Sequence, residues 1–376
     1  MAKKILLKDV IFVVKLSVFI IQCWPLAKNA TRLRVVFIKI YHFMCIILLA
    51  IMAASCIYTA NIKRDTFIVF SNLIMYTSAM FHSINNFIWY NINYTFIQKV
   101  TFEMIHVSES MTAHEKIVFQ RYIKKCLPFY SVSLIYFYSL TVGTITVVPL
   151  LAHQPFPTVI EYPFDVLYQP LHTIIYLKQS ICGFFVSAHL CVNVYMALLV
   201  WFTTARFKVL AEQLRMAVNV YELFECIKTH QKLLKYADNV SIVVRAFAFT
   251  TICCSTVGLI TLFLLVLKEQ SLIVISWALA VTVSGLLEVF MYTWPAEHLM
   301  HTASEIGHVA FEILDNHYFV KIWKCLQIII MRNQKLIQIS IPCLMPALSF
   351  NYFSAYLSTI LSYFTTLRVA ILENND

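Results

Sequence analysis

Glycine is scarce in this sequence, and so is charge. Only five of the 376 residues are glycines, and they are scattered between Gly143 and Gly307. A loop that cradles phosphate needs several glycines close together, so ATP-driven or kinase chemistry is not predicted. The 11 cysteines show no paired spacing of a zinc site, and most lie in apolar runs, where a thiol behaves as a small hydrophobic group. Structural disulfides are not implied.

The chain is rich in apolar residues instead. Hydrophobic residues make up 60% of it, aromatic residues 15% and charged residues 13%, which predicts an integral membrane protein. The N-terminal run from Ile11 to Ala27 contains Lys15 and Pro25, so we expect it to lie on the membrane surface. A spanning helix needs about 20 predominantly apolar residues. The sequence offers seven such stretches, at roughly 35–60, 67–97, 126–150, 170–202, 246–267, 270–294 and 345–371.

The basic residues indicate the orientation of the chain. Segments 1–34, 98–125, 203–240 and 295–335 together hold 22 Lys and Arg residues, whereas the alternate loops and the tail hold three. Loops rich in Lys and Arg stay in the cytosol, so an all-α membrane protein with a cytosolic N-terminus and an extracellular C-terminus is predicted. Helical periodicity continues through 203–240 and 295–335. These segments predict a cytosolic anchor region within a single domain, serving either subunit association or a monomeric extension.

Titratable residues give only a weak indication of catalysis. His298, His301, Glu305 and His308 share one helix face, as zinc ligands would. The HExxH spacing is absent, however, and a polar face at the membrane boundary is the simpler interpretation. Glu288 is one of few charges inside a span and lies within two turns of its cytosolic end. We therefore predict no catalytic residue, no metal, no cofactor and no charged anchor for an acidic or basic ligand.

The outer halves of four predicted spans carry uncharged aromatic, Met, Ser and Thr residues. Shared faces of this kind are typical of a pocket for a small apolar ligand, although packing between spans gives the same pattern. The candidate ligand-binding residues are Thr77, Met80 and Phe81 in the second span, Leu140, Gly143 and Val147 in the third, Tyr176, Gln179, Ser180 and Gly183 in the fourth, and Ala278, Val281 and Thr282 in the sixth.

Small polar residues form a stripe along the last span. Ser358, Ser362 and Thr366 recur on one helical face, and Pro342 and Pro346 interrupt the chain just before it. Such a stripe serves either close packing against another helix or contact with water. The sequence pattern leaves both interpretations open.

Several short motifs are most informative when taken together. They are Glu297 with Ser304 and Glu305, the run Arg332-Asn333-Gln334-Lys335, Ser362-Tyr363-Phe364 followed by Leu367-Arg368, and Cys23-Trp24-Pro25 near the start. With the seven-span layout, these motifs make the chain resemble the insect odorant receptor family.

The resemblance implies that the protein is the ligand-tuning subunit of an odour-gated, non-selective cation channel in the plasma membrane of sensory dendrites. Its partners would be a small volatile odorant, the family's co-receptor in a heterotetramer, and membrane lipid, with no nucleic acid. The ligand pocket would lie among the outer halves of the second, third, fourth and sixth spans. The pore would follow the last span along Ser358, Ser362, Thr366 and Ala370, with its constriction at Thr366 and Ala370.

Two other classes fit parts of the sequence. A seven-span G-protein-coupled receptor is the chief alternative, and it predicts an extracellular N-terminus, against the charge bias. A membrane metalloenzyme is the second alternative, and it predicts a metal bound at His298 or His301.

Overall fold

The computed structural model describes residues 5–27, 29–64, 66–151, 154–166, 168–268, 272–316, 320–342 and 344–373. Within these residues the chain forms ten α-helices, and the one β pairing is a bridge between Ile341 and Met345. The helices are α1 (Leu7–Ser17), α2 (Arg32–Ile62), α3 (Phe67–Ile92), α4 (Tyr94–Ser110), α5 (Ala113–Leu151), α6 (Leu171–Met216), α7 (Val220–Lys268), α8 (Leu272–Asn316), α9 (Val320–Asn333) and α10 (Phe350–Glu373).

Seven of these ten helices are long enough to cross a bilayer. α2, α5, α6, α7 and α8 contain stretches that are also apolar enough by composition. α3 and α10 have 26 and 24 residues, which suffices at about 1.5 Å per residue.

The helices do not stop at the ends of the predicted spans. α5 begins on the cytosolic side at Ala113, α6 continues to Met216, and α8 passes through Pro295 without a break. The last helix begins at Phe350 rather than at residue 345. A turn precedes it, closed by the bond from Ile341 N–H to the Met345 carbonyl (2.9 Å).

α6 forms the centre of the bundle. In its most apolar stretch 78% of the residues are buried, as expected for a helix that is apolar on all sides. It contacts α1, α2, α3, α4, α5, α7 and α8. α10 lies at the periphery and, within the described residues, packs against α7 and α8 only.

α1 lies along the outside of the bundle. Leu7, Ile11 and Val14 are buried against α4, α5 and α6, whereas Phe12 and Leu16 are exposed. An apolar helix exposed on its outer face suits the membrane surface better than water.

Ion pairs hold the cytosolic extensions together. Arg206 on α6 pairs with Glu103 on α4 at 2.7 Å, and Lys208 on α6 pairs with Glu305 on α8 at 2.8 Å. Arg215 also reaches Glu305, at 3.2 Å. The two segments predicted as an anchor region thus pack on each other through charged side chains as well as apolar ones.

His230 makes the stability of this cytosolic region sensitive to pH. Its side chain is 3% exposed on α7, and burial together with the nearby Arg332 lowers its pKa from 6.5 to about 4. The unfolded chain therefore binds a proton near pH 6.5, whereas the folded chain binds it only near pH 4. Stability is fully present above pH 6.5 and falls as the pH drops towards 4.

We predict that His230→Phe, which cannot titrate, reduces the loss of stability between pH 7 and pH 4.5 by up to about 3 kcal/mol. Thermal unfolding of the detergent-purified protein at both pH values measures this. The control is His106→Gln, which removes an exposed histidine on α4 and should keep the wild-type slope. An unchanged slope in His230→Phe would contradict the account.

Candidate functional site

A cavity of about 180 Å³ lies inside the outer part of the bundle. Apolar side chains form most of its wall, including Met80 on α3, Leu140 on α5, Val186 on α6, Leu259 on α7 and Val281 on α8. Met52 of α2 adds to the wall, and so do Pro157 and Thr158 from the segment after α5. An enclosed space with mostly apolar walls and few polar groups is the usual form of a site for a small molecule.

The segment after α5 lies at the outer end of this cavity. Thr158 donates its backbone N–H to Gln179 Oε1 (3.1 Å), and Glu161 donates its backbone N–H to Thr59 Oγ1 (3.0 Å). Glu161 also pairs with Lys63 Nζ at 2.9 Å. These contacts fasten the segment to α2 and α6 beside the outer end of the cavity.

Two buried polar atoms in the cavity wall have no hydrogen-bond partner among the described residues. They are Thr158 Oγ1 and Trp277 Nε1. A buried polar group without a partner is costly, so such groups occur mostly where function needs them.

A carboxyl group and an imidazole stand at the inner end of the cavity. Glu288 on α8 and His82 on α3 both line it, and their side chains are almost fully buried. His82 Nδ1 lies 4.0 Å from Glu288 Oε2, and Ser255 Oγ on α7 donates to the same oxygen at 3.4 Å. The sequence analysis placed Glu288 within two turns of the cytosolic end of its span. The structure adds that its side chain is buried between helices and lines the cavity.

Below the cavity a polar network joins four helices. Asn193 on α6 accepts hydrogen bonds through Oδ1 from Tyr292 (2.7 Å) on α8 and from Thr251 (3.2 Å) on α7. Thr251 Oγ1 lies 3.1 Å from His82 Nε2, which Asn86 Nδ2 approaches at 3.2 Å. Polar side chains in a membrane interior must find partners within the protein, and here they find them across helix boundaries.

The structure brings five of the thirteen predicted ligand-binding residues into the cavity wall. They are Met80, Leu140, Gln179, Gly183 and Val281.

The other eight predicted residues lie outside the cavity wall. Phe81 and Val147 are 60% and 47% exposed on the bundle surface. Tyr176 donates to the Ile145 carbonyl, and Thr282 donates back to the Ala278 carbonyl. Sequence periodicity shows which residues share a helix face but not how the helix is rotated in the bundle. The predicted set therefore includes residues from faces next to the one that lines the cavity. The eight residues are Thr77, Phe81, Gly143, Val147, Tyr176, Ser180, Ala278 and Thr282.

Several wall residues were not anticipated from the sequence. α7 contributes Ser255, Gly258 and Leu259, although no candidate was placed on that span. Thr158 and Trp277 were missed as well. Glu288 carried a usable signal, because an ionisable residue inside a span is rare and usually functional.

The predicted pore residues share the free side of α10. Ser358, Ser362 and Thr366 are exposed, whereas Tyr356 and Ile360 on the opposite side are buried. Ser362 and Thr366 donate to the carbonyls one turn earlier, at 2.9 Å each, which makes their hydroxyl groups compatible with an apolar surface. The side chain of Ala370 lies outside the described part of the structure.

The histidine and carboxylate cluster at the cytosolic boundary is divided among separate partners. Lys125 Nζ lies 2.9 Å from His298 Nε2, and His301 Nε2 lies 2.7 Å from Glu297 Oε1, while Glu305 pairs with basic residues of α6. Burial and the nearby Lys125 lower the pKa of His298. Across the described ranges, no three His, Cys, Asp or Glu side chains are arranged to hold a metal ion.

Residues 69–361 match the sequence model of the family described as 7tm odorant receptor. The chain belongs to that family. This odorant receptor is also similar in fold to a solved structure of the insect olfactory receptor OR5 from Machilis hrabei, with a TM-score of 0.81 at 16% identity, over 96% of this chain and 98% of that one. The structure of OR5 in complex with eugenol gives the same TM-score and identity over 97% and 98%. No curated protein sequence matches the chain.

The comparison confirms the predicted fold class. The odorant receptor is an all-α, multi-pass membrane protein of the seven-span fold. Family membership favours a receptor over the metalloenzyme and the G-protein-coupled receptor considered from the sequence.

Tyr292→Phe tests the polar network of this odorant receptor. Removing the hydroxyl group deletes the bond to Asn193, and interhelical hydrogen bonds in membranes average about 0.6 kcal/mol with a maximum near about 1.7. We predict a loss in that range, measured by thermal unfolding in detergent. Tyr363→Phe, on the exposed face of α10, should leave the unfolding midpoint unchanged. Equal midpoints for the two variants would contradict the role assigned to the network.

Proposed function

We propose that the chain binds a small volatile odorant in the cavity and, with co-receptor subunits, opens a non-selective cation channel lined by α10. The observation that carries the proposal is the position of α7 and α8. One side of these helices forms the cavity wall, and both pack directly against α10. Family membership supports a receptor, and the eugenol complex of OR5 shows a small aromatic molecule bound by a protein of the same fold.

Contacts on α7 connect the cavity to the proposed pore helix. Ser255 faces the cavity, and the next residue, Thr256, donates from Oγ1 to the Tyr356 hydroxyl of α10 at 3.5 Å. Farther along α7, the rings of Phe263 and Phe364 lie 5.3 Å apart. A ligand that shifts α7 would therefore move a surface on which α10 rests.

Contacts on α8 provide a second connection. The ring of Phe290 lies 5.5 Å from that of Phe353 on α10. Two residues earlier, Glu288 lines the cavity. α8 thus presents opposite sides of the same turn to the ligand site and to α10.

The exposed side of α10 supports its assignment to a pore. In a membrane-spanning helix that contacts two neighbours only, the remaining face meets lipid or another subunit. Ser358, Ser362 and Thr366 make this face small and weakly polar, which suits a water-filled path between subunits.

The anchor region supports assembly with other subunits. Phe311 on α8 and Ile328 and Met331 on α9 are 60%, 57% and 70% exposed, and they belong to the segment that the sequence predicts to lie outside the membrane. Exposed apolar side chains in an aqueous compartment usually mark an interface with another protein. We assign this surface to contacts with co-receptor subunits in a tetramer.

Gly258→Leu tests the cavity as the odorant site. A Cβ atom at Gly258 would meet no atom within 4 Å, and Gly258 lines the cavity, so we expect a larger side chain there to take up cavity space. We predict that the odorant concentration for half-maximal current rises at least about tenfold, because a filled site loses about 1.4 kcal/mol or more of ligand binding. Currents are recorded from cells that express the chain with a co-receptor.

Gly143→Leu is the matched control. A Cβ atom there also meets nothing within 4 Å, but Gly143 lies outside the cavity wall. Its response should equal that of the wild type, and surface labelling should show normal delivery of both variants. If Gly143→Leu abolished the response and Gly258→Leu did not, the ligand site would belong to the face predicted from the sequence.

Thr366→Cys tests the proposed pore. A charged, water-soluble thiol reagent should reduce the odour-gated current of this variant irreversibly, because the thiol faces the ion path. Leu361→Cys lies on another side of α10 and should be insensitive, as should the wild type with its native cysteines. Modification of Leu361→Cys alone would show that a different face of α10 meets water.

A further inference from the structure

Glu288 is an unusual group to find in the wall of this cavity. Its side chain is 7% exposed and belongs to a membrane-spanning part of α8, while most of the cavity wall is apolar. Burying a carboxyl group in such surroundings is costly unless it forms hydrogen bonds. A pocket that served only apolar ligands would be more stable with an apolar residue at this position.

The partners of Glu288 leave part of its hydrogen-bonding capacity free. Ser255 Oγ lies 3.4 Å and His82 Nδ1 4.0 Å from Oε2, and the Asn193 side chain is a further polar neighbour of the carboxyl group. The Ser255 and His82 distances are long, and a carboxyl group has acceptor capacity on its two oxygens for further hydrogen bonds. The group is therefore buried and yet under-occupied on the side of the cavity.

His82 is a titratable neighbour of Glu288 in the cavity wall. Its Nε2 already has polar neighbours, Thr251 Oγ1 at 3.1 Å and Asn86 Nδ2 at 3.2 Å. Its Nδ1 lies 4.0 Å from Glu288 Oε2, which is longer than a hydrogen bond. His82 therefore stands beside the carboxyl group without satisfying it.

We propose that Glu288 anchors the ligand by accepting a hydrogen bond from a hydroxyl or amino group. The ligand class is then a small, mostly apolar molecule with one such donor at its end. The cavity volume of about 180 Å³ is close to that of a cavity of about 150 Å³ known to admit benzene, so one ring or a short chain fits. This inference rests on the proposed function, because it takes the cavity as the odorant site.

The anchor predicts a clear preference among matched ligands. A molecule that lacks the donor leaves the buried carboxyl group without its partner, which weakens binding by about 10- to 100-fold. An apolar cavity without the anchor would show no preference for the donor, or would favour the hydrocarbon.

The test uses trios of equal size. Ethylbenzene, benzyl alcohol and benzylamine differ only in the terminal group, and so do hexane, 1-pentanol and pentylamine. Binding is measured by thermal stabilisation of the purified full-length chain in detergent, which does not require channel opening. Currents with a co-receptor are recorded in parallel.

In the wild type, the alcohol or the amine should bind at least about tenfold more tightly than its hydrocarbon. Glu288→Leu should remove this preference while keeping affinity for the hydrocarbon. Glu288→Gln retains the shape and an acceptor oxygen, so it should keep the preference for the alcohol and lose any for the amine. The control Glu109→Gln makes the same substitution on an exposed part of α4 and should change nothing.

Equal affinities within a trio in the wild type would overturn the proposal, and so would a preference that survives in Glu288→Leu. If no member of either trio bound, the cavity would not be the ligand site, and the proposed function would fail with the anchor. Binding without current would contradict the proposal that the ligand opens the channel. The anchor would still be tested, because the affinity ratios within each trio decide whether Glu288 binds the donor group of the ligand.

Discussion

The arrangement of the bundle depends on polar groups that must be satisfied away from water. Lipid offers no hydrogen bonds, so each buried polar side chain in a span has to find its partner on another part of the protein. Asn193, fully buried at the centre of α6, provides the shared acceptor for α7 and α8. Through Thr251 this network continues to His82 on α3. The relative rotation of four helices is thereby fixed, and with it the set of side chains that face the cavity above.

The same helices transmit events in the cavity to the surface on which α10 packs. α10 has no described contact with the central helix α6, so any influence of the ligand on α10 has to pass through α7 or α8. On α7 the connection is short, because Ser255 and Thr256 are neighbours that face the cavity and α10 respectively. This geometry gives ligand binding a direct mechanical path to α10.

Sequence reasoning predicted the features that depend on composition. It did not predict how each helix is rotated in the bundle or how deeply each side chain is buried. Composition and hydropathy predicted the all-α, multi-pass membrane fold, because length and apolarity are one-dimensional properties. Helix faces were less reliable: Gly183 and Val281 reach the cavity, whereas Phe81 points outward, and a periodic pattern cannot set the rotation angle. The burial of Glu288 could not be predicted for a related reason. Its distance from the span end along the chain does not reveal that neighbouring helices enclose its side chain.

Some wall residues belong to segments with no recognisable pattern. Thr158 lies in the segment between α5 and α6, and it reaches the cavity because Gln179 binds its backbone. The sequence analysis placed no candidate on α7, yet Gly258 lines the cavity and a Cβ atom there would meet no atom within 4 Å.

The central claim is that an occupant of the cavity opens the channel, and covalent occupancy tests it most directly. The variant Gly258→Cys, combined with Cys254→Ser to remove the native thiol of the wall, is treated with a small apolar thiol-reactive benzyl reagent while currents are recorded with a co-receptor. The account predicts a cation current that persists after the reagent is washed out and is absent in the Cys254→Ser parent. Complete modification, verified by mass spectrometry, without any such current would contradict it.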